Sequence, residues 1–224
     1  MTAPRRLPSP NFGDRRGGAV PSLIVLHYTA TATAEAAAAI LSDPALEVSA
    51  HYLLDVTGEV CLMVDEDKRA WHAGRGSWQG QDDVNSRSIG IEIVNSGAAP
   101  FPEPQMAALE DLIAGIMARW RIAPAGVIAH SDMAPDRKID PGPRFDWRRL
   151  ARAGLAVWPE GAGRGDPARF AADARAFGYP DVGDDLLLSA FRLRFRPWAM
   201  GPVDPWDAGL AADLARRFGR DQGH

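Results

Sequence analysis

The sequence predicts an α/β fold, in which helices cover the faces of a β-sheet, on three observations. Leu23–Tyr28 is a nearly continuous apolar run, the pattern of an interior strand that is covered on both faces. Apolar residues between Met106 and Trp120 recur at helical spacing, which indicates a helix with a core-facing stripe. Strand and helix patterns of this kind alternate along the chain as far as Leu150, which is typical of an α/β sheet.

The segment before the first strand, residues 1–21, is rich in proline, arginine and glycine, which predicts an irregular lead-in lying over the domain. After that strand, Thr31 or Thr33 can cap a helix through residues 35–41, because a hydroxyl accepts a hydrogen bond from a free backbone N–H and alanine is the best helix former. Pro44 is expected to end this helix.

A hairpin and a long loop are predicted next. Residues 49–54 and 59–64 have the composition of strands, and the residues between them, Asp55-Val56-Thr57-Gly58, have turn chemistry. Cys61, the only cysteine, falls in the second strand and is expected to be a small core residue. The loop that runs to Ser86 is long for a compact domain, and loops of this length are usually functional or mobile.

A further strand, residues 88–94, carries a carboxylate in an unusual place. Its three isoleucines alternate with Gly90, Glu92 and Val94, so Glu92 lies in the middle of the strand. A carboxylate is unfavourable there unless it has a partner. Glu92 is therefore a candidate functional residue, and a paired structural carboxylate is the alternative.

Two predicted strands end on a histidine. His27 closes the first apolar run, and His130 follows the short strand at residues 126–129. The loop after His130 then brings Lys138 and Asp140 between prolines that restrict its backbone. Two imidazoles and one carboxylate form a set that zinc can use when a coordination position stays open for water. Taken singly, each histidine is more often a structural or surface residue.

Three motifs together resemble a known family. They are HYTA from His27, SIGIEIVN from Ser88, and H-S-D-x-A-P-x-R-K-x-D-P-G from His130. In this order they look like the zinc-dependent N-acetylmuramoyl-L-alanine amidases, the Amidase_2 family with its AmpD-like and AmiD-like members. The match runs from about Ser22 to about Leu150, and the last motif is highly specific. The resemblance implies a central mixed β-sheet flanked by helices.

The resemblance also implies roles for single residues. Zn²⁺ is expected as the cofactor, held by His27, His130 and Asp140. Glu92 matches the acid/base glutamate of the family, and Lys138 matches the lysine that stabilises the oxyanion. A solvated loop lysine is the alternative for Lys138.

Five further residues are expected to bind substrate, and a structural role is the alternative for four of them, since Asn95 is expected only to contact the peptide or sugar. His51 and His72 occur in family-like sequence and either line the cleft or hydrogen-bond to the scaffold. Arg137 either pairs with a carboxylate of the stem peptide or contacts Asp136 or solvent. The set is Tyr28, His51, His72, Asn95 and Arg137.

The C-terminal part has a different composition. We predict a catalytic domain over residues 1–158, a glycine-rich linker over 159–167 and a small all-α domain of three helices over 168–224. Its helices are expected near residues 168–177, 184–195 and 207–218, with a small core of their own. The expected core residues are Phe170, Ala174, Leu187, Phe191, Phe195, Leu210, Leu214 and Phe218. This part resembles, more weakly, the peptidoglycan-binding three-helix domain of AmiD-type amidases.

Composition limits the classes of partner. The formal charge of -4 and the pI near 5.7 argue against nucleic-acid binding as the main function, and nothing indicates a membrane partner. The basic N-terminus is not followed by an apolar segment, and the lone cysteine fits a reducing compartment. A cytoplasmic location is expected, with the periplasm or cell envelope as the alternative. The sequence does not indicate an oligomeric state.

The expected activity is zinc-dependent hydrolysis of the amide bond between N-acetylmuramic acid, in its 1,6-anhydro form, and L-alanine in muropeptides, as part of peptidoglycan recycling. An exported amidase for intact peptidoglycan is one alternative. A non-catalytic sensor of peptidoglycan fragments is another, although a binder has no need of an activated water. A zinc hydrolase for some other amide is a third, because motifs report chemistry better than substrate.

Overall fold

The computed structural model describes residues 4–160 and 163–219. The start of the predicted lead-in, part of the predicted linker and the end of the predicted helical domain lie outside these residues. The strands are β1 (Arg5–Arg6), β2 (Phe12–Asp14), β3 (Leu23–Tyr28), β4 (Tyr52–Leu54), β5 (Val60–Leu62), β6 (Lys68–Ala70), β7 (Ser88–Ile93) and β8 (Val127–Ala129). The helices are α1 (Ala34–Ser42), α2 (Glu103–Trp120), α3 (His130–Met133), α4 (Trp147–Arg152), α5 (Phe170–Phe177), α6 (Asp184–Phe195) and α7 (Pro205–Phe218).

The central sheet is mixed, as expected. Its strand order is β1-β5-β4-β7-β3-β8. Strand β3 lies between β7 and β8 and is parallel to both, whereas β4 and β5 form the predicted antiparallel hairpin. The parallel strands β3 and β8 therefore bring their carboxyl ends to one edge. In the register of β3 and β7, His27 pairs with Glu92.

One face of the sheet is covered by α2. The isoleucines of β7 face this helix together with Ile24 and Leu26 of β3, which confirms the alternation expected for residues 88–94. The helix contributes a buried stripe at helical spacing. Members of this stripe are Met106, Leu109, Leu112, Ile113 and Ile116. The core of this face is thus built from the two periodic patterns in the sequence.

The opposite face of the sheet is covered by the C-terminal helices, which the sequence did not predict. Leu23, Val25 and Ile128 of the sheet belong to the same buried cluster as side chains of α5, α6 and α7. The three-helix core expected from the sequence therefore does not stand alone but continues onto the sheet. The periodicity of a helix shows which side is apolar but not which surface covers that side.

The N-terminal segment is less irregular than predicted. Strand β1 pairs in parallel with β5, and β2 pairs antiparallel with β6. Their two- and three-residue lengths carry no periodicity that a sequence pattern can detect. The strands predicted over residues 49–54 and 59–64 are shorter in the structure, Tyr52–Leu54 and Val60–Leu62. Before the first of them, the Ser49 hydroxyl donates to Asn11 O and accepts from Trp71 N, both outside the sheet.

Local capping follows the predicted chemistry at α1. Of the two threonines considered, Thr33 is the cap, and its hydroxyl accepts the Ala36 N–H at 3.2 Å. Cys61 is buried with a free thiol, as expected for a core residue. Over the described residues, no helix has both the length and the apolar composition needed to cross a membrane.

Candidate active site

His27, His130 and Asp140 meet at the carboxyl edge of the sheet. His27 Nδ1 lies 2.8 Å from His130 Nδ1, and Asp140 Oδ2 lies 3.0 Å from each of these nitrogens. The three side chains are buried, with exposed fractions of 1%, 3% and 7%. Three side chains of types that can bind zinc thus bring their ligand atoms together from positions far apart in the sequence.

The topology explains this convergence. His27 lies near the end of β3, and His130 follows β8, the parallel neighbour of β3. The loop after α3 folds back, and the Ser131 N–H donates to Asp140 O at 3.0 Å. That hydrogen bond keeps Asp140 beside His130.

The outer nitrogens of the two histidines fix which ring nitrogen carries the proton. His130 Nε2 lies 3.0 Å from the Ala73 carbonyl oxygen, which can only accept a hydrogen bond. The Ser88 hydroxyl donates to Val84 O at 2.6 Å, so it accepts from His72 Nε2 at 3.1 Å. His72 Nδ1 therefore accepts the Nε2–H of His27 at 3.0 Å. With Nε2 of both rings donating outward, both Nδ1 lone pairs face Asp140, as metal binding requires.

The charge states also fit a metal ligand set. Burial, and next the neighbouring His130, lower the pKa of His27 to about 4, so its ring is neutral at pH 7. Burial acts to raise the pKa of Asp140, but its close contacts with the His130 and His27 rings hold that pKa well below its ordinary value. Neutral imidazole and ionised carboxylate are the forms that bind a cation.

Glu92 faces the cleft beside this cluster. Its Oε2 is buried and has no hydrogen-bond partner within the described part of the chain. Burial, and to a smaller extent the charge of Asp140, raise the pKa of Glu92 well above its ordinary value, while Lys138 acts in the opposite direction. A buried carboxylate oxygen without a protein partner is unfavourable in a purely structural role, so this geometry favours a role in proton transfer.

The cleft in front of the cluster has a volume of about 370 Å³. Lys138, Tyr28, His72 and Arg137 line it together with the three clustered residues and Glu92. An apolar wall, which the sequence analysis missed, completes the lining. It includes Ile40, Leu41, Val48 and Trp71. Ile40 is 42% exposed. In the sequence, the only sign of this wall was a large apolar residue within an alanine-rich helix.

Two residues expected to line the cleft lie elsewhere. His51 is fully buried, with Nδ1 accepting the Gly90 N–H at 2.9 Å and Nε2 lying 3.0 Å from Lys68 O. Asn95 closes a turn after β7, where Oδ1 accepts the Gly97 N–H at 2.8 Å and Nδ2 donates to Ala99 O at 3.2 Å. The structural alternative for His51 therefore applies, whereas binding of substrate by Asn95 stays a prediction.

Three residues expected at the substrate do line the cleft, each with structural contacts. Arg137 donates to the carbonyl oxygens of Ala73 and Arg75, rather than to Asp136. Tyr28 packs its ring against the backbone at Gly97. His72 lies directly over Gly90, where an added Cβ would approach the ring to 2.4 Å. A glycine is therefore needed in β7 to admit this ring.

Comparisons with known proteins found a matching family model and several relatives. The family model described as N-acetylmuramoyl-L-alanine amidase matches residues 17–143. The N-acetylmuramoyl-L-alanine amidase AmiD of Escherichia coli K12 is 35% identical, over 89% of this chain and 84% of that protein. The 1,6-anhydro-N-acetylmuramyl-L-alanine amidase AmpD of Salmonella typhimurium SL1344 is also 35% identical, over 65% of this chain and 87% of that protein.

A solved structure extends the likeness to the fold. The E. coli AmiD complex with the substrate anhydro-N-acetylmuramic acid-L-Ala-D-gamma-Glu-L-Lys superposes with a TM-score of 0.82 at 32% identity. The superposition covers 94% of this chain and 99% of the AmiD chain, so the likeness includes the C-terminal helices. On the extent of the family match and on these relatives, the chain belongs to the N-acetylmuramoyl-L-alanine amidase family.

Proposed function

We propose that this protein hydrolyses the amide bond between N-acetylmuramic acid, in its 1,6-anhydro form, and L-alanine in muropeptides, with Zn²⁺ held by His27, His130 and Asp140. The observation that carries the proposal is the convergence of three ligand atoms within 3.0 Å of one another beside a carboxylate that has a buried, unpartnered oxygen. Two imidazole nitrogens and one carboxylate oxygen form a donor set that suits zinc.

Bound zinc would supply a water of lowered pKa and polarise the scissile carbonyl. The protein's own residues then have separate tasks. Glu92 accepts the proton of the attacking water at its carboxylate and delivers it to the departing nitrogen of L-alanine. Its raised pKa brings the carboxylate closer to the working pH, which suits both transfers.

Lys138 is proposed to stabilise the negative charge that develops on the carbonyl oxygen when water attacks the carbonyl carbon. Its side chain lines the same cleft as Glu92, and its charge acts on both Glu92 and His27. A cation at this position favours the negative charge that develops in the transition state. The apolar wall at Ile40, Leu41 and Trp71 suits the methyl groups of the lactyl and alanyl units.

The anhydro form of the substrate is proposed from the relatives. Both the substrate of the AmiD complex and the name of the AmpD relative specify an anhydro-muramic acid. A role on intact peptidoglycan is the second candidate, because the likeness to AmiD extends over the C-terminal helices. The unpartnered Glu92 oxygen favours an enzyme over a fragment sensor, since binding alone does not require a base.

The test uses one soluble and one polymeric substrate. Soluble anhydro-muropeptide is expected to release its free stem peptide, and a chelator is expected to stop the release until zinc is restored. Intact sacculi are expected to react more slowly under the same conditions. Fragment binding without peptide release would show a sensor, and faster turnover of sacculi would show the second candidate. Undiminished hydrolysis by metal-free protein would contradict the zinc site.

The cellular compartment stays a prediction. Recycling of soluble fragments fits the expected cytoplasmic location, whereas action on sacculi fits the cell envelope. Fractionation of the producing cells, with the tagged full-length chain detected in each fraction, distinguishes the two.

A further inference from the structure

A buried network joins the C-terminal helices to the turn that carries His130. Asp132, two residues after His130, is fully buried. Its Oδ2 accepts the Ala129 N–H at 2.9 Å and a hydrogen bond from Arg194 at 2.6 Å, and its Oδ1 accepts the Tyr179 hydroxyl at 2.6 Å. The backbone just before His130 is thus tied to two side chains from the C-terminal part of the chain.

Arg194 of α6 directs its hydrogen bonds to the strand and the turn around His130. Its guanidinium also donates to Val127 O at 3.2 Å, on the strand that leads to His130, and lies 4.2 Å from the centre of the Trp147 ring. The side chains of Arg194 and Asp132, which form an ion pair, are both fully buried. An uncompensated carboxylate in such a place is strongly unfavourable, so the turn depends on this cation.

A neighbouring residue on the same helix gives a natural contrast. Arg192, two positions earlier on α6, is also buried and also pairs with a buried aspartate. Its partner is Asp207 of α7, and its other hydrogen bonds go to the carbonyl oxygens of Gly201 and Pro202. All of these contacts stay within the C-terminal part of the chain.

We propose that Arg194 and Tyr179 are positioning residues of the metal centre, which hold the His130 turn in its ligand geometry through Asp132. The C-terminal helices would then be required for metal binding, in addition to any part they have in binding substrate. The inference rests on the proposed function for the metal itself. Its structural half, an ordered His130 turn, does not require zinc and can be tested without it.

The experiment compares Arg194→Met and Tyr179→Phe with Arg192→Met as the matched control, all in the full chain. The first readout is amide hydrogen exchange of residues 129–134 in the metal-free protein. The second is the zinc dissociation constant, measured by competition with a chelator. Arg194→Met is expected to accelerate the exchange by at least roughly tenfold and to weaken zinc binding by about 10–100-fold. Tyr179→Phe is expected to act in the same direction by a few-fold, because only one hydrogen bond is removed.

Arg192→Met is expected to change both readouts by less than about twofold, within the scatter of a distant substitution. Arg194→Lys, which keeps the charge, is expected to recover part of the loss. Equal effects of Arg194→Met and Arg192→Met on both readouts would overturn the proposal. If Arg194→Met does not fold, the test rests on Tyr179→Phe and Arg194→Lys. Unchanged amide exchange and unchanged zinc affinity in both variants would overturn the proposal. Failure of the wild-type protein to bind zinc would refute the proposed function. The exchange data would still show whether Arg194 and Tyr179 order the His130 turn.

Discussion

Two neighbouring clusters of buried groups on the same face of the sheet differ in what their polar atoms contact. In the cleft cluster (His27, His130 and Asp140), the inner nitrogens and the carboxylate face one another. In the inner cluster, formed by His51 and Arg15, almost every polar atom contacts backbone. His27, His130 and His51 are all buried, so burial does not separate a ligand from a scaffold histidine. The two roles differ in whether a ring nitrogen directs a free lone pair into the cleft.

His72 stands between the two clusters. Its ring centre lies 5.1 Å from that of His27 and 5.7 Å from that of His51, edge-on to both. It lines the cleft, yet both of its nitrogens have protein partners. By the criterion of the free lone pair it belongs to the support of the site and not to the ligand set.

The largest expected effect is that of removing a ligand. His130→Ala is expected to abolish stoichiometric zinc binding and to lower the amidase rate by at least about 1000-fold, because a metal contributes several kcal/mol to transition-state stabilisation. Metal analysis and peptide release measure the two effects. His51→Gln is the control from the inner cluster, and an equal loss of zinc in that variant would break the comparison.

Glu92 tests whether proton transfer can be separated from metal binding within the cleft cluster. Glu92→Gln keeps the size of the side chain but removes the base, so kcat is expected to fall by about 10²–10⁴-fold while bound zinc stays at the wild-type level. Loss of zinc together with activity would instead place Glu92 among the ligands. Unchanged turnover would reject its catalytic role.

Lys138 is expected to have the next effect. Lys138→Met retains the aliphatic stem and removes the charge, and kcat is expected to fall by about 10²–10³-fold, as for loss of one oxyanion donor. KM for the soluble fragment is expected to change much less, which distinguishes transition-state stabilisation from substrate binding. A rise in KM with unchanged kcat would contradict this role.

A substitution at His72 tests whether a residue outside the proposed ligand set supports the orientation of His27. His72→Phe removes the acceptor for His27 Nε2–H while filling the space over Gly90, and zinc affinity is expected to weaken by about 10–100-fold. Chelator competition measures this loss. Zinc affinity equal to that of the wild-type protein would show that the orientation of His27 does not depend on this ring.

The smallest expected effect concerns stability in acid and the inner cluster. Burial lowers the pKa of His51 to about 3, so between about pH 6.5 and 3 the unfolded chain binds a proton that the folded protein does not. Stability from this group is therefore lost as the pH falls. Between pH 7 and pH 5 the wild-type protein is expected to lose about 2 kcal/mol more than His51→Gln in urea unfolding. Equal losses would contradict the neutral, buried state of His51.

Much of the site was accessible from the sequence because its parts are local. Apolar runs that end on His27 and before His130 predict the strand ends, and Glu92 stood out as a carboxylate within an alternating strand. The zinc set itself depended on the family resemblance, since spacing does not show which side chains converge. Convergence arises from the parallel pairing of β3 with its neighbours, which is a long-range property.

The parts that were missed depend on contacts between distant segments. Nothing around Asp132 or Arg194 in the sequence indicates that they form an ion pair, because a charge pattern does not show its partner across the fold. His51 was misplaced for a related reason. A histidine beside a family motif looks the same whether its ring enters the cleft or turns inward toward Gly90.

The hydrogen bond from Ser131 N–H to Asp140 O has a consequence for metal loading. It closes a short loop that carries two of the three proposed ligands, His130 and Asp140. Closing so few residues requires little chain entropy. By contrast, His27 and, by the proposal above, the C-terminal helices that hold the His130 turn must be brought from distant parts of the sequence. Metal loading would accordingly wait on these two long-range contacts.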